Sequence, residues 1–306
     1  MLLIKILNES KASDDAKRRG LEHAGYGKWR IPGGPIVART VKDKLVAIKS
    51  AKKKQVSKKS DNDIIDASII LDKKIGYAKG SNPGGFYIGS DGQKRYVKFY
   101  KNPSQGKSEH LANNIYKDLG IGSPISHLFD SDGKEAFASD IIEGKLLNET
   151  PLTPQLAKKI LGGFAADVLT SNWDVVGLEH DNILVDKAGN PYRIDNGGTF
   201  TFRAMGGAKP QPLLNQIPEF KGFSDHHVNS EYAQLFDKLG YHDVTDMGQS
   251  FIKQVQDIVK LRKKVGSWEK YIQKTVPSFS PQEQKTIAKM LESRMKLMIE
   301  KAREMK

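Results

Sequence analysis

NWDVVGLEHDNILVDKAGNPYRIDNGG, residues 172–198, decides how the rest of the chain is read. An acid, Asp174, is followed eight positions later by an amide, Asn182, which leads into the apolar run Ile183-Leu184-Val185. The polar stretch Asp186-Lys187-Ala188-Gly189-Asn190 predicts a turn. A second short strand, Tyr192-Arg193-Ile194, then delivers another acid, Asp195, ahead of Asn196-Gly197-Gly198. Two carboxylates and an amide around one tight hairpin are what metal-dependent phosphoryl transfer requires. One carboxylate orients a hydroxyl nucleophile, and the amide with the other carboxylate holds Mg²⁺ against nucleotide phosphates.

Composition sets the bounds. The 306 residues are enough for one bilobal domain or two small ones, and 38% hydrophobic content fits a globular chain with a lysine-rich surface. No apolar run approaches the roughly 20 residues that span a bilayer, so membrane insertion is not expected. The opening MLLIKILNESK is too short for a signal segment and reads as a strand, Leu2–Leu7. There is no cysteine, which excludes disulfides, thiolate metal sites and cysteine nucleophiles and suits a reducing cytoplasm. The net charge of +13 implies either an acidic partner, such as nucleic acid or nucleotide phosphates, or a solubilising surface. Part of the excess is local, since residues 42–60 hold eight lysines and one acid.

Working upstream from the hairpin, residues 75–100 read as a β-meander. Strands are expected at Ile75–Ala78, Phe86–Ile88 and Arg95–Tyr100, with a turn at Asp91-Gly92. The loop Gly80-Ser81-Asn82-Pro83-Gly84-Gly85 allows close approach of backbone N–H groups to an anion, because glycine has no Cβ to clash. Lys98 lies in the last strand between Val97 and Phe99, either facing solvent or reaching into a cleft. Gly106-Lys107-Ser108 imitates the end of a P-loop, but position 101 is Lys101 and not glycine. Residues 104–119 form a helix on Leu111, Ile115 and Leu119, ended by Gly120. Its Glu109 either pairs with Lys98 or serves the helix dipole. Strands Ile125–Phe129 and Ala136–Ile142 follow, and Glu143-Gly144-Lys145 is the expected linker between lobes, with backbone available to an adenine edge.

The first 60 residues form a small β-rich extension, with strands at Ile36–Thr40 and Lys44–Ile48. The aromatic, glycine-rich segment 23–35 is either an ordered turn or a binding loop, because Tyr26 and Trp29 beside Lys28 and Arg30 could stack on a base. Residues 51–63 are a basic linker that either stays solvated or contacts nucleic acid. Downstream of Thr153, Leu156, Ile160, Phe164 and Val168 recur every four residues and predict one continuous buried helix running toward Asp174. Beyond the hairpin lie a glycine-rich loop with Arg203 and Lys209, and helices at Tyr232–Leu239, Phe251–Val265 and Pro281–Met305. The last opens on a capping box, Ser280-Pro281-Gln282-Glu283. His226-His227 lacks further ligands at metal spacing.

The order of parts is glycine loop, strand lysine, helix glutamate, linker, acid, asparagine, second acid. It predicts an α+β, bilobal, protein-kinase-like fold with a β-rich N-lobe (61–150) and a mainly helical C-lobe (151–306). GSNPGGFY, YVKFY, SEHLANNIYKDLGI, NWDVVGLEHDNILV and YRIDNGG together resemble the atypical kinases of the HipA and phosphatidylinositol 3/4-kinase-like group, over roughly residues 75–240. The resemblance implies ATP and Mg²⁺ as cofactors. It implies Gly80, Ser81, Asn82, Gly84 and Gly85 as the phosphate loop, Lys98 as the ATP-binding lysine and Glu109 as its partner. It implies Asp174 as the catalytic acid and Asn182 and Asp195 as metal ligands. The acceptor it implies is a hydroxyl, foremost Ser or Thr of a protein substrate. Two departures stand out. Common kinases place the metal asparagine five residues after the acid, whereas here the step is eight, so either Val175–His180 bulges or Asp181 is the base. The metal acid is followed by Asn196-Gly197, not Phe-Gly, so a phenylalanine switch is not implied. Rival expectations are AMP transfer, a nucleotide-binding scaffold without turnover, and a basic nucleic-acid-binding protein acting through residues 23–60.

Overall fold

A computed structural model describes residues 69–78, 82–131, 133–209 and 216–306, and the backbone of four short strands before them. The chain divides into two compact units, Met1–Ser60 and Asp61–Lys306. In the first, β1 (Glu22–His23), β2 (Lys28–Arg30), β3 (Ile36–Val41) and β4 (Lys44–Ala47) form an antiparallel sheet in chain order. Two of these strands fall in or beside the segment 23–35 expected as a loop. The strand expected at Leu2–Leu7 and the basic segment 51–63 lie outside the described residues.

The second unit begins with β5 (Leu71–Tyr77), β6 (Gly84–Gly89) and β7 (Lys94–Lys98), then helix α1 (Pro103–Asp118), then β8 (Ser126–Ser131) and β9 (Lys134–Asp140). The five strands make one antiparallel sheet, ordered β5-β6-β7-β9-β8. Side chains alternate faces along a strand, and the register sorts them. Val97 lies opposite Ala138, and Phe129 opposite Ala136; with Ile69 these form a small core on one face. Lys98 lies opposite Phe137, on the other face, where Tyr100, Phe137 and Leu128 join the main core. The period-two pattern therefore turns Lys98 inward. Gly84 (φ 147°) and Gly85 (φ 135°) sit inside β6, where a Cβ would run into the carbonyl oxygens of Val97 and Gly76. These two glycines thus answer to strand packing as well as to loop freedom.

Helix α1 starts at Pro103, with Asn102 capping Ser104, and ends before Gly120, whose φ of 73° suits glycine. A short strand, β10 (Gly144–Leu146), leads away from the sheet and pairs with the hairpin β11 (Ile183–Asp186) and β12 (Pro191–Arg193). The segment expected as a linker is thus partly strand.

The rest is helical. The helix expected to run unbroken from Pro154 is two helices, α2 (Pro154–Leu161) and α3 (Phe164–Leu169). Gly162-Gly163 breaks it so that Arg193 can enter; a Cβ on Gly163 would land on the guanidinium. Gln254 serves the gap, accepting from Ala165 N at 2.9 Å and donating to Leu161 O at 3.0 Å. Helices α4 (Glu219–Gly222), α5 (His226–Asp237), α6 (Gln249–Val265), α7 (Trp268–Thr275) and α8 (Pro281–Glu304) complete the unit. The Ser280–Glu283 capping box opens α8. Phe164 gathers Phe223, Tyr232, Phe236 and Phe251 edge-on around itself, the centre of the helical core. This is an α+β chain whose second unit has the sheet-then-helices arrangement of a bilobal kinase-like fold. Among the described residues no helix is long and apolar enough to cross a membrane.

Candidate active site

Three elements converge on Lys98. Strand β7 carries it inward, helix α1 presents Glu109, and the turn after β12 presents Asp195. The Lys98 ammonium donates to Glu109 Oε1 at 2.8 Å and Oε2 at 3.1 Å, and to Asp195 Oδ1 at 2.7 Å. Tyr100 donates its hydroxyl to Glu109 Oε2 from the other side. Burial works against the charge on Lys98, but the carboxylates of Asp195 and Glu109 outweigh it and hold the amine well above the usual lysine range. Of the two alternatives for Lys98, the structure excludes solvent: the side chain is buried and turned to Glu109 and Asp195.

Asp195 adopts a left-handed backbone conformation, φ 56° and ψ 51°, which is costly for a residue with a Cβ. Its side chain is 49% exposed even with Lys98 against it. Hairpin register brings Asn182 alongside, since Asn182 O accepts from Ile194 N at 2.9 Å. Asn182 in turn reaches back to Asp174, donating Nδ2 to its backbone oxygen at 2.8 Å and to Oδ2 at 3.0 Å. The eight-residue step is thus absorbed by a bulge. Gly177 (φ 78°) and His180 (φ 54°) turn it, and Asn182 N closes it on Val176 O at 3.1 Å. Asp181 stays exposed at the edge of this bulge. Asp174 is pushed up to about 6 by burial first, then by the negative charges of Asp195 and Asp181, with the Asn182 hydrogen bond pulling the other way.

This donor set fits Mg²⁺. Because a carboxylate only accepts, Asn182 must turn its nitrogen to Asp174, leaving its carbonyl oxygen as a ligand. That oxygen, the Asp195 carboxylate and neighbouring Asp174 are hard donors. The repulsion that adds to burial in raising Asp174 is what a divalent cation relieves. Of the expected phosphate loop, Gly84 and Gly85 are in β6, paired with Lys98 and Val97 of β7, and Asn82 lies just before them, whereas Gly80 and Ser81 lie outside the described residues.

A cavity of about 570 Å³ adjoins Asp174, walled by Trp173, Phe200, Met205 and Met290. Arg203 stands exposed at its edge. Lys209 closes one side, donating to Ser171 O and to Gly198 O at 2.9 Å; burial pushes its amine down to about 7. Glu219 and Arg294, both buried and 2.5 Å apart, anchor the end of the segment that follows the hairpin. His226 pairs with Asp237 at 2.8 Å. Among the described residues no three His, Cys, Asp or Glu side chains cluster as a metal site.

Several residues that matter here carried no legible signal in the sequence. Arg193, at the end of the short strand β12, donates Nε to Asp167 Oδ1 at 2.6 Å and Nη2 to Asp167 Oδ2 at 2.7 Å and Ile160 O at 2.8 Å. Tyr100, Asn113, Asn172 and Asn196 are equally ordinary in sequence; only the Gly162-Gly163 pair hinted at something entering the helical layer.

No protein-family model matches this chain, and no curated protein matches it. Among solved structures, a Helicobacter pylori proinflammatory kinase, CtkA, aligns over 79% of this chain and 98% of its own, at 16% identity and a TM-score of 0.46. Likeness at that level says nothing about chemistry, which rests on the side chains above.

Proposed function

We propose that this chain is an ATP- and Mg²⁺-dependent phosphotransferase, an atypical kinase of the HipA and phosphatidylinositol 3/4-kinase-like group, acting on a hydroxyl, foremost Ser or Thr of a protein. The observation that carries the reading is Lys98, buried between Glu109 at 2.8 Å and Asp195 at 2.7 Å, with Asn182 holding Asp174 beside them. A cation fixed by a helix carboxylate and facing an open acid is suited to hold phosphate oxygens. Asn182 and Asp195 would hold Mg²⁺, which neutralises phosphate charge when bound. Asp174 orients the acceptor hydroxyl and takes its proton as the new O–P bond forms and the bond to the bridging oxygen breaks, releasing ADP. A carboxyl near 6 is ionised at neutral pH yet basic enough for that task. The apolar cavity beside Asp174 has room for the group that carries the hydroxyl.

Incubation with γ-labelled ATP and cell extract, followed by mass spectrometry, tests this directly. Label in protein that disappears with Asp195→Ala supports it. Label from α-labelled ATP instead would make the chain an AMP transferase. Wild-type transfer by Asp195→Ala would show the site to be elsewhere.

A further inference from the structure

Behind the two acids lies a run of three buried asparagines, each at most 2% exposed: Asn172, Asn196 and Asn113. The backbone N–H of Asp174 donates to Asn172 Oδ1 at 3.2 Å. Asn172 Nδ2 donates to Asn196 Oδ1 at 3.1 Å, and Asn196 Nδ2 to Asn113 Oδ1 at 2.8 Å. Branches steady it. Asn172 also donates to Tyr116 Oη at 3.3 Å, Asn196 to Arg193 O at 3.1 Å, and Ser123 Oγ reaches Asn113 Oδ1 at 3.0 Å.

The direction of every bond follows from one end. A backbone N–H only donates, so Asn172 must show it an oxygen. Its nitrogen then faces Asn196, which must show an oxygen in turn, and so on to Asn113. Turning any one amide over would set donor against donor. Amides aligned head to tail also polarise one another. The far end costs something, because Asn113 Nδ2 is buried without a partner. An apolar core would have avoided that penalty, so the amides invite a reason beyond cohesion. Their endpoints supply it. Asn196 adjoins the left-handed Asp195, Asn172 fixes the backbone of Asp174, and Asn113 lies one turn after Glu109 on the same face of α1.

We infer that Asn113, Asn196 and Asn172 form a positioning relay that makes the orientation of Asp174 and Asp195 depend on the seating of helix α1. Glu109 and Asn113 move together, so a shift of α1 that frees Lys98 also releases both acids. Proper seating sets lysine, metal acid and acceptor acid at once. The inference rests on the phosphotransferase reading for its catalytic meaning, though not for the coupling itself.

The test uses the full chain with Asn113→Leu, Asn196→Leu and the pair N113L/N196L. In hydrogen exchange, Asn113→Leu, which touches neither acid, should speed exchange at Asp174 and at 195–197 more than in α6. In transfer, each single change should lower kcat by up to about 100-fold with the KM for ATP little changed, as displaced groups do. The pair should cost no more than the worse single change, because the residues act as one unit. If a single variant fails to fold, the pair carries the test: it removes the Asn196–Asn113 bond from both sides, so neither amide is left facing an apolar group there, and Asn172 Nδ2 keeps Tyr116 Oη. A pair that is stable and transfers at the wild-type rate overturns the relay, as does exchange that rises evenly across the molecule. Exchange needs no turnover, so it decides the relay even where failure of Mg²⁺·ATP to bind sinks the phosphotransferase reading.

Discussion

Two buried ion pairs, built from the same kinds of groups, are put to opposite uses. Arg193 and Asp167 are 1% and 0% exposed, and together they are complete. The guanidinium makes a two-pronged contact with the carboxylate and also reaches Ile160 O, while Tyr232 donates to Asp167 Oδ2 at 2.8 Å. Positive and negative charge balance, and the remaining acceptor sites are filled. Lys98 and Glu109 are nearly as buried, at 7% and 3%, yet incomplete. A second carboxylate, Asp195, shares the lysine and leaves the group with excess negative charge at an open edge. A planar fork suits the closed pair; a compact ammonium that can be shared suits the open one. Burial alone therefore does not mark a functional ion pair. Unbalanced charge at a cleft does.

The comparison breaks most visibly at Arg193. Arg193→Ala strands Asp167 in the core and should cost about 3–5 kcal/mol of folding free energy, read by denaturant unfolding. An Arg193→Met, Asp167→Leu pair should recover much of that loss, whereas no apolar pair at Lys98 and Glu109 should recover transfer. Lys98→Ala should reduce transfer by about 10²–10³-fold, as removing a charge-stabilising donor does, while the folded protein survives. Glu109→Gln keeps the shape and should cost less, on the order of tenfold in kcat, by loosening Lys98.

pH sharpens the contrast further. Transfer should rise with pH to a midpoint below about 6, because bound Mg²⁺ relieves the part of the rise of Asp174 that comes from Asp195 and Asp181, and Asp174→Asn should be inactive. Its folded value lies above the ordinary 3.8, so the folded state holds that proton more tightly. The stabilisation this gives is complete below about 3.8 and is lost as pH rises through about 6. Asp174→Asn should therefore melt higher than wild type at neutral pH, with the difference fading toward pH 4. The smallest effect belongs to the exposed pair Lys187–Glu143, with side chains 85% and 79% accessible; Lys187→Ala should leave the melting temperature unchanged.

What the sequence disclosed follows the range of the physics. Alternation around Val97-Lys98-Phe99, the Asp91-Gly92 turn and the capping box at Ser280 are local, and the elements lie within a few residues of expectation. The placement of Lys98, Glu109 and Asp195 was legible as an order of parts because each sits at a recognisable point of its element. Arg193 was not, because nothing local distinguishes a strand arginine facing water from one that crosses to a helix 26 residues earlier in the chain. The amides failed for the same reason: an asparagine reads as turn or cap until its distant partner is known. The expectation of a single helix from Pro154 failed because a period of four carried through Gly162-Gly163 as though the glycines were neutral.

That interrupted helix bears on how the protein can be improved. Filling helical glycines with alanine is a routine route to a more heat-resistant chain, since it narrows the unfolded ensemble. At Gly163 the rule inverts: the added methyl would compete with Arg193 for the same space, and heat resistance should fall. The paired glycines work as a keyhole for a side chain from another layer. Sequence-guided stabilisation of this protein should leave Gly163 alone and turn instead to exposed positions on α8.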